Sequence, residues 1–133
     1  MILLKSYVVA LIIFLIVDAL WLGLIAKGMY ESQIGSIMKD NPNLIAAAIF
    51  YLIFIFGLLM FVIKPALAAQ SLKYAALYGA LFGFIAYATF DLTNLALIKG
   101  WTVPVTLADL AWGAFIGSFV CSSTYLIVVK YLG

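Results

Sequence analysis

The chain has 133 residues, of which 68% are hydrophobic and only 9% are charged. Soluble domains carry about half apolar and about a quarter charged residues, so this composition excludes one and indicates an integral membrane protein. The net charge of +2 comes from scattered lysines, and without arginine or a basic cluster the sequence excludes nucleic acid as a partner.

The chain contains no histidine and a single cysteine, Cys121. This excludes the usual transition-metal sites, a Cys-His nucleophile and an intrachain disulfide. We therefore expect no metal and no cofactor. Cys121 lies in an apolar stretch before Ser122, Ser123 and Thr124, which favours a packing role over a reactive thiol.

The first apolar segment covers residues 6–26. Lys5 before an apolar run is typical of a signal peptide, but Asp18 interrupts the run and no small-residue cleavage pattern precedes Lys27. The segment is therefore predicted to stay as a first membrane helix. In the polar stretch that follows, the apolar residues fall on one helical stripe, which predicts a short interfacial helix. This stripe contains Tyr30, Ile34, Ile37 and Met38.

Three further apolar segments follow. The second, residues 44–63, starts after an N-cap and helix-starting proline at Asn41-Pro42 and is stopped by Lys64-Pro65. The third, residues 71–98, ends at Lys99-Gly100, where a basic residue and a glycine are typical of a helix end. The fourth is residues 106–131. Together they predict one all-α domain, residues 1–133, in the form of a four-helix transmembrane bundle.

The fourth segment opens with Thr106 and Asp109, which fit the spacing of a capping box. This pattern favours a helix-capping role for Asp109 over a functional one. Orientation is indicated by the lysines: with the N-terminus inside, four lie on the cytoplasmic side and three on the other. The positive-inside rule then predicts that both termini are cytoplasmic. The four are Lys5, Lys64, Lys73 and Lys130, and the three are Lys27, Lys39 and Lys99.

Two aspartates within the spans are predicted to share one depth. Asp18 lies about 13 Å before the end of the first helix, and Asp91 lies about 12 Å before the end of the third, at about 1.5 Å per residue. Both helices exit on the same side, and Asp109 enters from it. An intramembrane carboxylate is costly and indicates a functional site. The predicted cluster of ligand or proton-binding candidates is Asp18, Trp21, Asp91, Thr93, Asn94, Trp101, Asp109 and Trp112.

Each aspartate has a polar or indole neighbour three residues later on the same helical face: Trp21, Asn94 and Trp112. Two glycine steps predict close helix packing; these are Gly79 with Gly83 and Gly113 with Gly117. If Asp18 and Asp91 meet, they form a coupled pair that can exchange a proton for a cation. The alternative is that buried, protonated aspartates only lock the helices together, with the tryptophans forming an interfacial belt.

The order of three motifs resembles a family of small bacterial membrane proteins, the domain-of-unknown-function family 2177. The motifs are D-A-L-W-L-G from Asp18, F-D-L-T-N-L from Phe90 and D-L-A-W-G from Asp109, with Trp101 between the last two. The likeness covers essentially the whole chain. It implies a four-helix protein of a bacterial inner membrane, with the eight cluster residues as signature positions, and it implies no reaction or substrate.

Three classes of function stay open. The first is binding or transport of a small polar or cationic ligand through the one-sided cluster. The second is a membrane-embedded enzyme for a lipid or apolar substrate with Asp18 and Asp91 as acid and base, which the lack of a recognisable nucleophile disfavours. The third is a structural or accessory subunit whose glycine faces bind partner helices. Membrane lipid, a small-molecule ligand and further copies of the chain are the expected partners.

Overall fold

The computed structural model describes residues 1–38 and 43–132. All regular structure in these ranges is helical, which confirms the predicted class. Four helices are long and apolar enough to cross a membrane: α1, Ile2–Ile25; α3, Leu44–Ala69; α4, Leu72–Leu97; and α5, Val103–Leu132. The predicted interfacial helix is α2, Lys27–Ile34, followed by a tight turn at Gly35–Ile37.

Side-chain caps fix where α3 and α4 begin. The backbone N–H of Ala46 donates to the side-chain oxygen of Asn43 over 3.0 Å, and that of Tyr74 donates to Ser71 Oγ over 2.9 Å. Each cap satisfies an amide that the first helical turn leaves free. The cap predicted at Asn41-Pro42 lies outside the described residues.

The predicted capping box at Asp109 is wrong. Thr102 is the N-cap of α5, because its Oγ1 accepts the Val105 amide over 3.3 Å. The helix therefore begins at Val103, three residues before the predicted start. Pro104 does not prevent this, since proline is well tolerated in a first turn where no amide is needed. Asp109 consequently lies inside the helix, with no free amide to cap.

The predicted stop at Lys64-Pro65 is also wrong, because α3 continues to Ala69. A π-helical turn, Leu59–Ile63, precedes this dipeptide, and the Lys64 amide bonds to the Leu59 carbonyl. The wider turn provides space for a proline ring inside a continuous helix. The helix ends instead at Gln70, whose φ of 52° is left-handed.

The glycine steps of α4 and α5 face each other. A Cβ added to Gly79 would lie 2.5 Å from the Gly117 carbonyl oxygen, and one added to Gly83 would lie even closer to that of Gly113. Only glycine permits such backbone contact, which is the usual reason for small-residue steps between membrane helices. The glycine steps thus pack α4 against α5 of the same chain.

The buried faces of the helices carry the aspartates. In α1 the buried residues recur at every fourth position, as Ser6, Ala10, Phe14 and Asp18. Asp91 extends a similar stripe in α4, and twelve residues of α5, including Asp109, are buried. The outer faces are apolar and exposed, as at Ile12 and Ile16, which suits contact with lipid. The three aspartates therefore face protein.

Candidate functional site

A cavity of about 450 Å³ lies at one end of the bundle, where α1 and α4 end and α3 and α5 begin. Seven of its thirteen lining residues are aromatic, and two are aspartates. All five helices contribute to it. The lining residues are Asp18, Trp21, Leu22, Tyr30, Ala47, Phe50, Tyr51, Ala86, Tyr87, Thr89, Phe90, Asp109 and Trp112.

Asp18 is held by donors from two other helices. The Tyr51 hydroxyl of α3 donates to Asp18 Oδ2 over 2.9 Å, and the Trp112 Nε1–H of α5 donates to Asp18 Oδ1 over 3.2 Å. Only 6% of the residue is exposed. Because each oxygen accepts a hydrogen bond from a different helix, the two donors fix the orientation of the Asp18 carboxyl group.

Asp109 is held by α2. Its Oδ1 accepts a hydrogen bond from the Tyr30 hydroxyl, and the Tyr30 oxygen accepts one from Trp21 Nε1–H over 3.2 Å. The Trp21 and Trp112 rings stack with their centroids 4.5 Å apart. The hydrogen-bonded groups around Asp18 and Asp109 are therefore in contact through the two indole rings. In the sequence each tryptophan shares a helical face with the aspartate of its own helix. In the structure each donates toward the aspartate of the other helix: Trp112 bonds to Asp18, and Trp21 bonds to the tyrosine that holds Asp109.

Asp91 lies behind the cavity and is fully buried. Its carboxyl group is next to the Asp109 carboxyl and the Trp101 indole N–H. Neither Asp91 oxygen, nor Trp101 Nε1, has a hydrogen-bond partner among the described residues. Asp109 is also close enough to Asp18 for the two carboxyl groups to interact electrostatically. Asp109 is thus the carboxyl group that neighbours both of the others. The carboxyl neighbour of Asp91 is Asp109 and not the hypothesised Asp18.

Four members of the predicted cluster do not line the cavity: Asp91 and its neighbour Trp101, and also Thr93 and Asn94. Thr93 is exposed and Asn94 is half-buried, and neither belongs to the lining given above. Both lie on α4, which also carries four lining residues that the predicted cluster did not include, namely Ala86, Tyr87, Thr89 and Phe90. Tyr87 is four residues from both Gly83 and Asp91, so helical spacing could have placed it on the same inner face of α4.

The buried carboxyl groups lack a positive neighbour among the described residues. No lysine is among the groups that act on Asp18 or Asp91. Within residues 1–38 and 43–132, no group of three His, Cys, Asp or Glu side chains is placed to hold a metal ion. A buried charge without a counter-charge is strongly unfavourable. A proton or a cationic molecule would relieve this cost.

Tyr30 remains a neutral donor across the physiological range. Burial raises the pKa of its hydroxyl above the ordinary value of 10.0, and the hydrogen bond to Asp109 raises it further. Because the unfolded chain ionises first, stability is fully present below pH 10 and falls as the pH rises above it. We expect Tyr30→Phe to reduce this alkaline loss, measured as the thermal midpoint of helical circular dichroism in detergent.

The matched control for this prediction is Tyr131→Phe, since Tyr131 is exposed near the end of α5. Its removal is expected to leave the alkaline slope unchanged. Equal slopes for the wild type and Tyr30→Phe above about pH 10 would contradict the buried, hydrogen-bonded state of Tyr30.

Comparisons with known proteins identify a family of membrane proteins. Searches against curated proteins and solved structures give no match. A family model described as "Predicted membrane protein (DUF2177)" matches residues 3–126. This match runs from the start of the first span into the fourth and includes every residue of the cavity lining. The chain therefore belongs to the DUF2177 family of membrane proteins.

Proposed function

We propose that this membrane protein binds a small organic cation in the cavity, with Asp18 and Asp109 as the counter-charges. The observation that carries the proposal is the presence of two nearly buried carboxyl groups, 6% and 7% exposed, in a cavity with mostly aromatic walls. Aromatic faces attract cations through their quadrupoles, most strongly where water is excluded. The combination of such faces with carboxylates is characteristic of sites for substituted ammonium groups.

The hydrogen bonds determine how the site works. Tyr51 and Trp112 hold the Asp18 carboxylate in one orientation before a ligand arrives, which lowers the entropy lost on binding. Tyr87 lines the cavity, and among the described residues its hydroxyl makes no hydrogen bond that would compete with a ligand. The carboxylates supply the attraction, and the aromatic residues set the shape and exclude water.

The wider setting is a proposal as well. We place the protein in a bacterial inner membrane with both termini in the cytoplasm, so that the cavity lies toward the outer side. Binding there is the first step of uptake or sensing of the cation. The chain is proposed to assemble with further copies of itself.

Titration of the purified protein with tetramethylammonium tests the proposal. Two of the three tryptophans line the cavity, so a bound cation is expected to change tryptophan fluorescence saturably. The matched control ligand is tert-butanol, which has a similar branched shape and no charge. A response to tetramethylammonium but not to tert-butanol supports the proposal. No saturable response, or equal responses to both, would contradict it.

A further inference from the structure

We propose that Asp91 holds a proton beside Asp109, and that a cation entering the cavity displaces it. The proton site is separate from Asp18, and it is not part of the cavity lining except through Asp109. The displacement rests on the proposed function, whereas the proton site rests on the full burial of Asp91 and its two unpartnered oxygens.

The first step concerns Asp91. It is fully buried, and both its oxygens lack a partner among the described residues. An ionised carboxylate in that position is shielded from bulk solvent and is poorly stabilised, whereas a protonated one carries no charge to stabilise. The unpartnered Trp101 Nε1–H beside it supplies at most one donor. The buried, unpartnered carboxyl of Asp91 is therefore the natural holder of a proton.

The second step concerns the neighbours of Asp91. The groups that face it are Asp109 from α5, Tyr30 from α2 and the Trp101 indole from the α4–α5 connection. Of these only Asp109 can carry a charge at neutral pH, and that charge is negative. An ionised Asp91 would place a second negative charge next to that of Asp109 in a low-dielectric site, so the protonated form of Asp91 is favoured.

The third step links the pair to the cavity. Asp109 belongs to both places, since it neighbours Asp91 and lines the cavity beside Tyr30. A cation next to Asp109 offsets the second negative charge, so the Asp91 carboxyl can lose its proton to solvent. One positive charge enters and one leaves, and the charge of the site is unchanged. Such an exchange couples cation binding to proton movement.

Infrared spectroscopy tests the proton site without any ligand. A protonated carboxyl group has a C=O stretching band that ionised carboxylates lack. We expect this band in the wild type at neutral pH, its loss in Asp91→Asn and its persistence in Asp18→Asn, because the Asp18 oxygens already accept two hydrogen bonds. A band that survives in Asp91→Asn, or disappears in Asp18→Asn, would overturn the assignment.

Asparagine has the size of a protonated aspartic acid and no charge, so Asp91→Asn is expected to fold and to elute from a sizing column like the wild type. If Asp91→Asn fails to fold while Asp18→Asn folds, Asp91 is needed as an ion and the proton site is refuted.

Proton release tests the displacement. In weakly buffered detergent solution, tetramethylammonium is expected to release about one proton per bound cation from the wild type and none from Asp91→Asn. Binding to the wild type without release would overturn the exchange and leave the proposed function intact. No binding at all would remove the proposed function, and with it the displacement, while the infrared result still decides the proton site.

Discussion

Gly83→Ala is expected to destabilise the bundle by about 2 kcal/mol, although alanine is the better helix former by about 1 kcal/mol. The added methyl group would collide with the carbonyl group of Gly113 on α5. A backbone carbonyl cannot move aside as a flexible side chain can, so α4 and α5 must separate along their contact. Unfolding in mixed micelles with increasing sodium dodecyl sulfate, followed by helical circular dichroism, measures the change.

The control for this prediction is Gly23→Ala in α1. A Cβ on Gly23 meets nothing within 4 Å, so this variant is expected to match the wild type or to be slightly more stable. A larger side chain, as in Gly83→Leu, is expected to prevent folding. If Gly83→Ala is as stable as Gly23→Ala, the close approach of α4 and α5 is incorrect.

Asp18→Asn is expected to weaken the binding of tetramethylammonium by about 100-fold, or about 3 kcal/mol. The variant keeps the size of the side chain and removes its charge. The amide also turns one donor toward Tyr51 or Trp112, each of which donates to Asp18. Isothermal titration calorimetry on the purified variants measures the dissociation constant.

Glu31→Gln is the control for this prediction, because it makes the same chemical change at an exposed position on α2. Its affinity is expected to stay within about twofold of the wild type. Similar affinities for Asp18→Asn and Glu31→Gln would mean that the Asp18 carboxylate is not the counter-charge of the ligand.

The four spans were predictable because each is a run of about twenty apolar residues, a signal that does not depend on tertiary contacts. The ends were less predictable. Thr102 and Thr106 both precede α5 with the spacing of a cap, and the sequence alone favours the one followed by an acid. Lys64-Pro65 is an ordinary helix stop in water, and only the π-helical turn before it explains why α3 continues.

The membership of the site was partly predictable. Helical spacing and depth place Asp18, Asp91 and Asp109 on one side of the bundle with their neighbours three residues later, but the capping pattern disfavoured a functional role for Asp109. Which indole serves which aspartate was not predictable, because it depends on how α1 and α5 are rotated relative to each other. Tyr51 carries no signal, since α3 is apolar throughout and no stripe identifies its inner face.

The four-residue spacing of the buried residues is present in the sequence, but it is recognisable as the inner face of each helix only once the structure is known. Buried residues at every fourth position form the ridges through which helices interdigitate. In α5 this stripe runs through Asp109, Gly113 and Gly117, and in α4 through Gly79, Gly83 and Asp91. The glycines thus bring α4 and α5 together, and the aspartates one or two turns away are consequently buried between helices.

Native mass spectrometry of the protein from its detergent extract tests the central claim most directly, because it retains and weighs whatever the cavity has bound. We expect a small cationic adduct on the wild type and on Glu31→Gln, and its loss from Asp18→Asn and Asp109→Asn with the same number of chains assembled. An adduct that survives in both aspartate variants, or variants that dissociate while the wild type carries no adduct, would contradict the claim and assign the aspartates to helix packing.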